Sequence, residues 1–180
     1  MLDQFNVSII IPVFNGETHI KNCINSIIDQ DFKDKFEIIF INDASTDKSL
    51  EIIKKNQISN LKFFSLSTNS GQSAARNLGI KKAIGEYVFF MDVDDSIEKN
   101  TLSILFNKAK EKNCDFVCAD FKRIENSKNQ RNNTYNYSED KEFDDHKIIA
   151  AMHNELHDPT LGHLGLFGCN GRLIKRSIII

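Results

Sequence analysis

The chain runs Tyr87-Val88-Phe89-Phe90-Met91 and then Asp92-Val93-Asp94-Asp95-Ser96. Three carboxylates within four residues, directly after five apolar ones, are its sharpest chemical signal. Unpaired carboxylates do not stay in a core, so they emerge where the apolar run ends and repel one another there. Hard oxygen ligands so placed suit a divalent cation such as Mg²⁺ or Mn²⁺. The same residue types also build a solvated acidic turn that caps the next helix, and spacing alone leaves both readings open.

The elements that must position these carboxylates are legible on either side. Val7-Ser8-Ile9-Ile10-Ile11 reads as a β-branched strand stopped by Pro12. Ile20, Cys23, Ile24, Ile27 and Ile28 recur at helical spacing. Ile38 to Ile41 is a second strand, and Ser45 or Thr46 can cap a helix carrying Leu50, Ile52 and Ile53. Leu61 to Phe64 is a third strand, Ser73 to Ala83 an Ala-rich helix, and Tyr87 to Met91 a fourth strand. Leu102, Leu105, Phe106 and Ala109 mark another helix before a fifth strand over Asp115 to Ala119. Strands alternating with helices through short joints make an α/β fold with right-handed crossovers. The strands are continuous apolar runs, which predicts a mostly parallel sheet with helices on both faces. From Glu125 to Glu142 the chain is nearly all polar and reads as a long exposed loop. A helix is expected from Asp144 to Glu155, then a Gly-rich loop from Asp158 to Gly171. His153 and His157 would share a face of that helix, but Asn154 stands where a zinc protease places glutamate, so they read as solvated or groove residues. The ending Ile178-Ile179-Ile180 is an unusual close for a folded domain, and the native chain is expected to continue.

Composition narrows the function classes. The 180 residues are 41% hydrophobic and 27% charged, with a formal charge of -2, which is ordinary for a globular chain and gives no global field for nucleic acid. Neither a signal peptide nor a bilayer-length apolar run is apparent, so cytoplasmic residence is expected. Cys23, Cys114, Cys118 and Cys169 lack paired C-x-x-C spacing and read as reduced thiols.

In an open parallel sheet, ligands bind outside the carboxyl ends of the strands. Four polar loops fall there: Pro12 to Asn15, Asn42 to Ser45, Asn69 to Asn77, and Asp92 to Asp95. Neither G-x-G-x-x-G nor G-x-x-x-x-G-K-[ST] occurs, so a nucleotide would need another device. A cation on Asp94 would neutralise a diphosphate, Arg76 would add fixed charge, Asp43 would accept from a base N–H, and Phe14 would stack on the base.

Pro12-Val13-Phe14-Asn15, Asn42-Asp43-Ala44-Ser45-Thr46-Asp47, Asn69-Ser70-Gly71 through Ala75-Arg76-Asn77-Leu78-Gly79, and Phe90-Met91-Asp92-Val93-Asp94-Asp95 together resemble family 2 glycosyltransferases of the GT-A fold. The resemblance spans residues 7 to about 120 and continues more faintly over Gly168 to Ser177. It implies a nucleotide-sugar-binding half over residues 1–121 and an acceptor-side segment over 122–180. It implies a UDP-sugar donor, a divalent cation, and transfer with inversion to a hydroxyl of a glycan, lipid-linked or protein acceptor. Pro12 and Phe14 would line the base pocket, Asp43 hold the base, Arg76 lie by base and phosphates, Asp92 contact the ribose, and Asp94 ligate the metal. Asp95 is a further candidate for metal or donor contact, and Asn15, Glu17 and Ser45 also fall at donor-side family positions.

Two departures stand out. Phe14 replaces a usual tyrosine, which keeps stacking and loses the hydroxyl. Ala44 replaces a usual glycine, which costs about 1 kcal/mol if the turn demands a positive φ. The resemblance places the general base beyond Ile180, with Asp158 and His163 as candidates inside the chain. Arg172, Lys175 and Arg176 form a basic cluster that would face solvent or an anionic membrane surface, with peripheral membrane association in the second case. Two other functions fit part of the pattern: a nucleotide-sugar-binding module without transfer, and a haloacid-dehalogenase-like phosphatase with Asp92 as nucleophile.

Overall fold

The computed structural model describes residues 5–119, 123–125, 129–131 and 170–180. They fall in two units, one formed by Met1–Ala119 with Asn170–Ile180, the other by Asp120–Cys169.

The first unit is built on a six-stranded sheet. In chain order its elements are β1 (Val7–Val13), α1 (Ile20–Ile28), β2 (Phe36–Asn42), α2 (Ser49–Lys55), β3 (Leu61–Ser65), α3 (Gln72–Lys82), β4 (Tyr87–Phe90), α4 (Thr101–Glu111) and β5 (Phe116–Cys118). The second unit contributes β6 (Arg123–Glu125) and β7 (Asn129–Arg131), and the first resumes with β8 (Arg172–Lys175) and a 3₁₀ turn at Arg176–Ile178. Strand order is β3-β2-β1-β4-β8-β5. The pairs β1–β2, β1–β4 and β2–β3 are parallel, while β8 lies antiparallel between β4 and β5. The sheet is therefore mixed, with five strands in one direction and one inserted against them.

Residues alternate along β1 between two cores. Val7, Ile9, Ile11 and Val13 meet Ile20, Cys23, Ile27, Ile53, Leu102 and Phe106 on the face of α1, α2 and α4. Ile10 points the other way, with Ile39, Ile41, Val88 and Phe90, against Ala75 and Ala83 at α3. Burial on both faces is what the unbroken apolar strands predict. Each large side chain removed from water contributes about 1.5–3 kcal/mol, and Phe40 and Phe89 are wholly buried.

The structure corrects several local expectations. Pro12 does not stop β1, which continues to Val13. Ile10 accepts from Met91 N–H on the β4 side, Val13 accepts from Asp43 N–H on the β2 side, and the β4 register ends at Ile10–Phe90. The N–H that Pro12 lacks would thus face β4 beyond its last rung, where no ladder bond is lost. Residues 170–180, grouped above with the acceptor-side segment, return to the first unit, and the unit boundary follows Ala119. The polar stretch from Glu125 carries a strand over Asn129–Arg131, which pairs antiparallel with Arg123–Glu125 in the second unit. The expected helix over 144–155, with His153 and His157, and the Gly-rich loop up to Cys169 lie outside the described residues. Among the described residues no helix is long and apolar enough to cross a membrane.

Candidate functional site

From β1 the chain steps outward to β2 and β3, and from β3 it crosses back over β1 to reach β4. The order of strands thus reverses between β1 and β4, the point outside whose carboxyl ends open α/β sheets bind their ligands. Phe14, Asp43, Arg76 and Asp92 all follow strands or begin helices at this edge.

The acidic loop leaves β4 just after Met91 N–H donates to Ile10 O, the last tie to β1. Asp95 N–H then closes a turn onto Asp92 O at 3.1 Å. This places carboxylate oxygens of Asp92, Asp94 and Asp95 within 4.8 Å of one another. Asp92 is held on both oxygens: Oδ1 accepts from Gln72 Nε2 at 2.7 Å and Arg76 Nη2 at 2.8 Å, and Oδ2 accepts from Asn170 Nδ2. Asn170 Nδ2 also donates to Asp95 Oδ2 at 3.1 Å, and its Oδ1 accepts from Arg76 Nη2 at 3.1 Å. Asp94 is exposed, and among the described residues its side chain has no hydrogen-bond partner. Partial burial, then the charges of Asp94 and Asp92, push the Asp95 carboxyl above its ordinary value. Beneath the loop, burial followed by the same field from Asp95 and Asp94 pushes the Cys23 thiol up to about 12, so it stays a thiol. Arg76 Nε is buried and has no partner among the described residues.

The loops after β1 and β2 are laced together. Asn15 N–H donates to Ser45 Oγ at 3.1 Å, Thr46 N–H to Asn15 Oδ1 at 2.8 Å, and Gly16 N–H to Ser49 Oγ at 2.9 Å. Glu17 N–H donates to Asp47 Oδ2 at 3.0 Å, and Glu17 Oε2 accepts from Lys48 N–H at 2.9 Å. Ser45 and Thr46 do not cap α2. The N-cap position is Lys48, whose side chain makes no capping bond, and just before it Asp47 Oδ1 accepts from Ser49 N–H at 2.9 Å. Between these loops Phe14 stands 50% exposed, with its aromatic ring open to solvent. Asp43 is only 3% exposed, and its two oxygens accept from Ser70 and Gly71 N–H, both at 2.8 Å. It thereby ties the loop after β3 to the loop after β2.

Ala44 sits at φ +56° and Asn15 at +51°. Asn tolerates this region; alanine does so at a cost of about 1–2 kcal/mol. Ala44 is held there by Ser45 N–H, which donates to Asn42 Oδ1 at 3.1 Å. Ala44→Gly is expected to stabilise the protein by about 1 kcal/mol, read as a higher urea midpoint at unchanged slope. A lower midpoint would show that alanine is unstrained in this turn.

The structure thus brings Asp92, Asp94, Asp95 and Arg76 into one cluster, and puts Phe14, Asn15, Glu17, Asp43 and Ser45 along the adjoining loops. Pro12 is buried in β1 beneath them. Asn170 and Gln72 were missed by residue-type reasoning, because single amides look like ordinary turn and helix residues. Both lie inside segments already singled out, Gln72 in Asn69 to Asn77 and Asn170 in Gly168 to Ser177, but neither had a role of its own there. Asp158 and His163, the in-chain base candidates, lie outside the described residues. The basic cluster does not form one face. Arg172 is buried with its guanidinium over Phe116, Lys175 pairs with Asp115 at 3.0 Å, and Arg176 donates to Gly85 O at 2.7 Å.

The sequence profile of Glycosyl transferase family 2 matches residues 8–179. The chain belongs to this family. Membership sets aside the phosphatase reading of Asp92. A cholesterol galactosyltransferase of Borreliella burgdorferi is 44% identical over 123 residues, covering 67% of this chain and 34% of that protein. A poly(ribitol-phosphate) beta-N-acetylglucosaminyltransferase, TarS of Staphylococcus aureus, is 46% identical over 99 residues, covering 53% of this chain and 17% of that protein. The chain therefore spans about a third or less of the length of these relatives. The crystal structure of S. aureus TarS residues 1–349 in complex with UDP superposes with a TM-score of 0.60 at 39% identity, over 63% of this chain and 35% of that one. A mannosyltransferase of Pyrobaculum calidifontis, solved with GDP-Man and Mn²⁺, gives 0.60 at 22% identity over 66% of this chain and 36% of that one, which speaks to the fold alone. The fold of this chain is accordingly that of GT-A glycosyltransferases.

Proposed function

We propose that this chain is the donor-binding part of an inverting glycosyltransferase that takes a UDP-sugar with Mn²⁺ or Mg²⁺ and transfers the sugar to an acceptor hydroxyl. The observation that carries this reading is the cluster at the carboxyl edge of β4. Three mutually repelling carboxylates there include one, Asp94, without a hydrogen-bond partner among the described residues, and the half-buried Arg76 keeps a buried Nε beside them that has no partner among those residues either. All-oxygen ligands of this density fit Mn²⁺ or Mg²⁺ and do not fit a soft metal. When bound, the cation would offset charge on the departing diphosphate. Asp94 is the principal ligand in this account, with Asp92 and Asp95 beside it, and Arg76 adds a fixed positive charge next to the phosphates. Phe14 stacks on the base, Pro12 lies under the base pocket, Asp43 offers its remaining lone pairs to a base N–H, and Asp92 faces the ribose. Asn15, Glu17 and Ser45 serve mainly as struts that hold Phe14 and Asp43 in place, because their polar atoms are spent between the loops.

The choice of UDP draws on TarS, whose structure holds it. A glycan, lipid-linked or protein hydroxyl as acceptor, and a cytoplasmic site of action, complete the proposal. Isothermal titration tests its core. UDP should bind in Mn²⁺ and at least about tenfold more weakly in EDTA, since a ligated cation pairs with the diphosphate. Equal affinity with and without the cation would contradict it.

A further inference from the structure

We infer that the Asn170 amide competes with the cation for Asp92 and Asp95 and is displaced when the cation binds. The inference rests on the metal reading above and concerns a residue that neither the sequence motifs nor the comparisons assign.

Three carboxylates this close repel one another in the absence of a cation. Two donors sit among them and offset that repulsion, the guanidinium of Arg76 and the neutral amide of Asn170. Arg76 covers Asp92 Oδ1, while Asn170 Nδ2 bridges Asp92 Oδ2 and Asp95 Oδ2. The amide has one orientation that satisfies all its neighbours: NH₂ toward the two carboxylates, oxygen toward Arg76 Nη2. A cation ligated by Asp92 and Asp95 needs the lone pairs that this NH₂ occupies, so amide and cation compete. Displacement of the amide also takes away one of the two acceptors of Arg76 Nη2, which leaves that N–H available to a phosphate oxygen. Cation and nucleotide therefore help each other bind, through a single side chain at the start of the segment leading into β8.

The test is Mn²⁺ affinity measured by electron paramagnetic resonance on the full 180-residue chain without nucleotide. Asn170→Ala is expected to tighten Mn²⁺ binding about fivefold, the scale of a competing charge-assisted hydrogen bond that has been removed. It is also expected to shrink, by about the same factor, the gain in UDP affinity that Mn²⁺ confers. Asn170→Asp, which puts an oxygen ligand in place of the NH₂, should tighten Mn²⁺ further; if Asn170→Ala does not fold, Asn170→Ser serves in its place. Lys175→Gln loosens β8 at its other end and should leave Mn²⁺ affinity unchanged. The inference is overturned if Asn170→Ala binds Mn²⁺ as the wild type does or more weakly, or if Lys175→Gln tightens it equally. Wild-type protein that binds no Mn²⁺ would overturn the metal reading as well, so the two failures are told apart.

Discussion

Asp94→Ala is expected to abolish the rise in melting temperature that Mn²⁺ with UDP gives the wild-type protein, and to lower sugar transfer at least about a thousandfold in any form of the enzyme that turns over. The reasoning follows from how the three carboxylates are engaged. Asp92 is ion-paired with Arg76 and hydrogen-bonded by Gln72 and Asn170, and Asp95 is hydrogen-bonded by Asn170, whereas the exposed Asp94 has no hydrogen-bond partner among the described residues. Loss of Asp94 therefore costs the fold little and the cation its principal ligand. Metal-free Asp94→Ala should melt within about 2 °C of the wild type, as expected of an exposed side chain. The two melting curves separate a binding defect from a folding defect. An intact nucleotide response in Asp94→Ala would move the cation off this residue.

The largest effect on stability is expected at the opposite edge of the sheet. Gly85→Ala should destabilise the protein by about 3 kcal/mol or more, or prevent folding. A Cβ at Gly85 would lie 2.7 Å from Ser8 N and Ser8 Oγ and 2.8 Å from Val7 C. Those atoms belong to β1, a central strand paired on both sides, so the obstacle is backbone and cannot swing away. The same contact carries a polar knot. Gly85 N–H donates to Ser8 Oγ at 2.8 Å, Ser8 Oγ donates to Glu37 Oε1 at 2.6 Å, and Glu37 also accepts from Ile84 N–H and Lys62 Nζ. Glu37 is fully buried and is tolerated because these donors surround it. Displacement of the Gly85 turn would strip the carboxylate of part of that shell. Gly79→Ala makes a useful contrast. Its Cβ would come within 2.3 Å of Ile10 Cγ2, a side-chain atom, so partial repacking can relieve it. A denaturant midpoint for Gly85→Ala close to that of the wild type would show that β1 yields at this point.

The pattern of apolar runs ending in polar loops carried most of the α/β core and the four polar loops at its carboxyl edge. It worked because β1, β2 and β4 are buried on both faces, which leaves an unbroken signal in Ile9-Ile10-Ile11, Ile38 to Ile41 and Tyr87 to Met91. It failed for β8. Arg172-Leu173-Ile174-Lys175 is only four residues long, shows no alternation, and pairs with β4 across more than eighty positions of sequence. Nothing local encodes that pairing. The carboxylate cluster was legible for the opposite reason, since its residues are neighbours in the chain. Asn170 was not, because its role exists only once β8 returns to the sheet. Ser45 illustrates a subtler miss. A serine before a helix is a reasonable cap, but here α2 begins only after Lys48, too far along for Ser45, whose Oγ accepts from Asn15 N–H instead. The strain anticipated at Ala44 depended on the turn demanding a positive φ, and the turn does.

The central claim is that the carboxyl edge of β4 grips a cation that in turn holds a nucleotide diphosphate. Anomalous diffraction at the manganese edge, from crystals grown with Mn²⁺ and UDP, addresses it directly. The account predicts a peak within about 2.5 Å of an Asp94 oxygen, with diphosphate density beside Arg76 and the uracil ring against Phe14. An anomalous peak elsewhere, or UDP bound with the acidic edge empty, would contradict it.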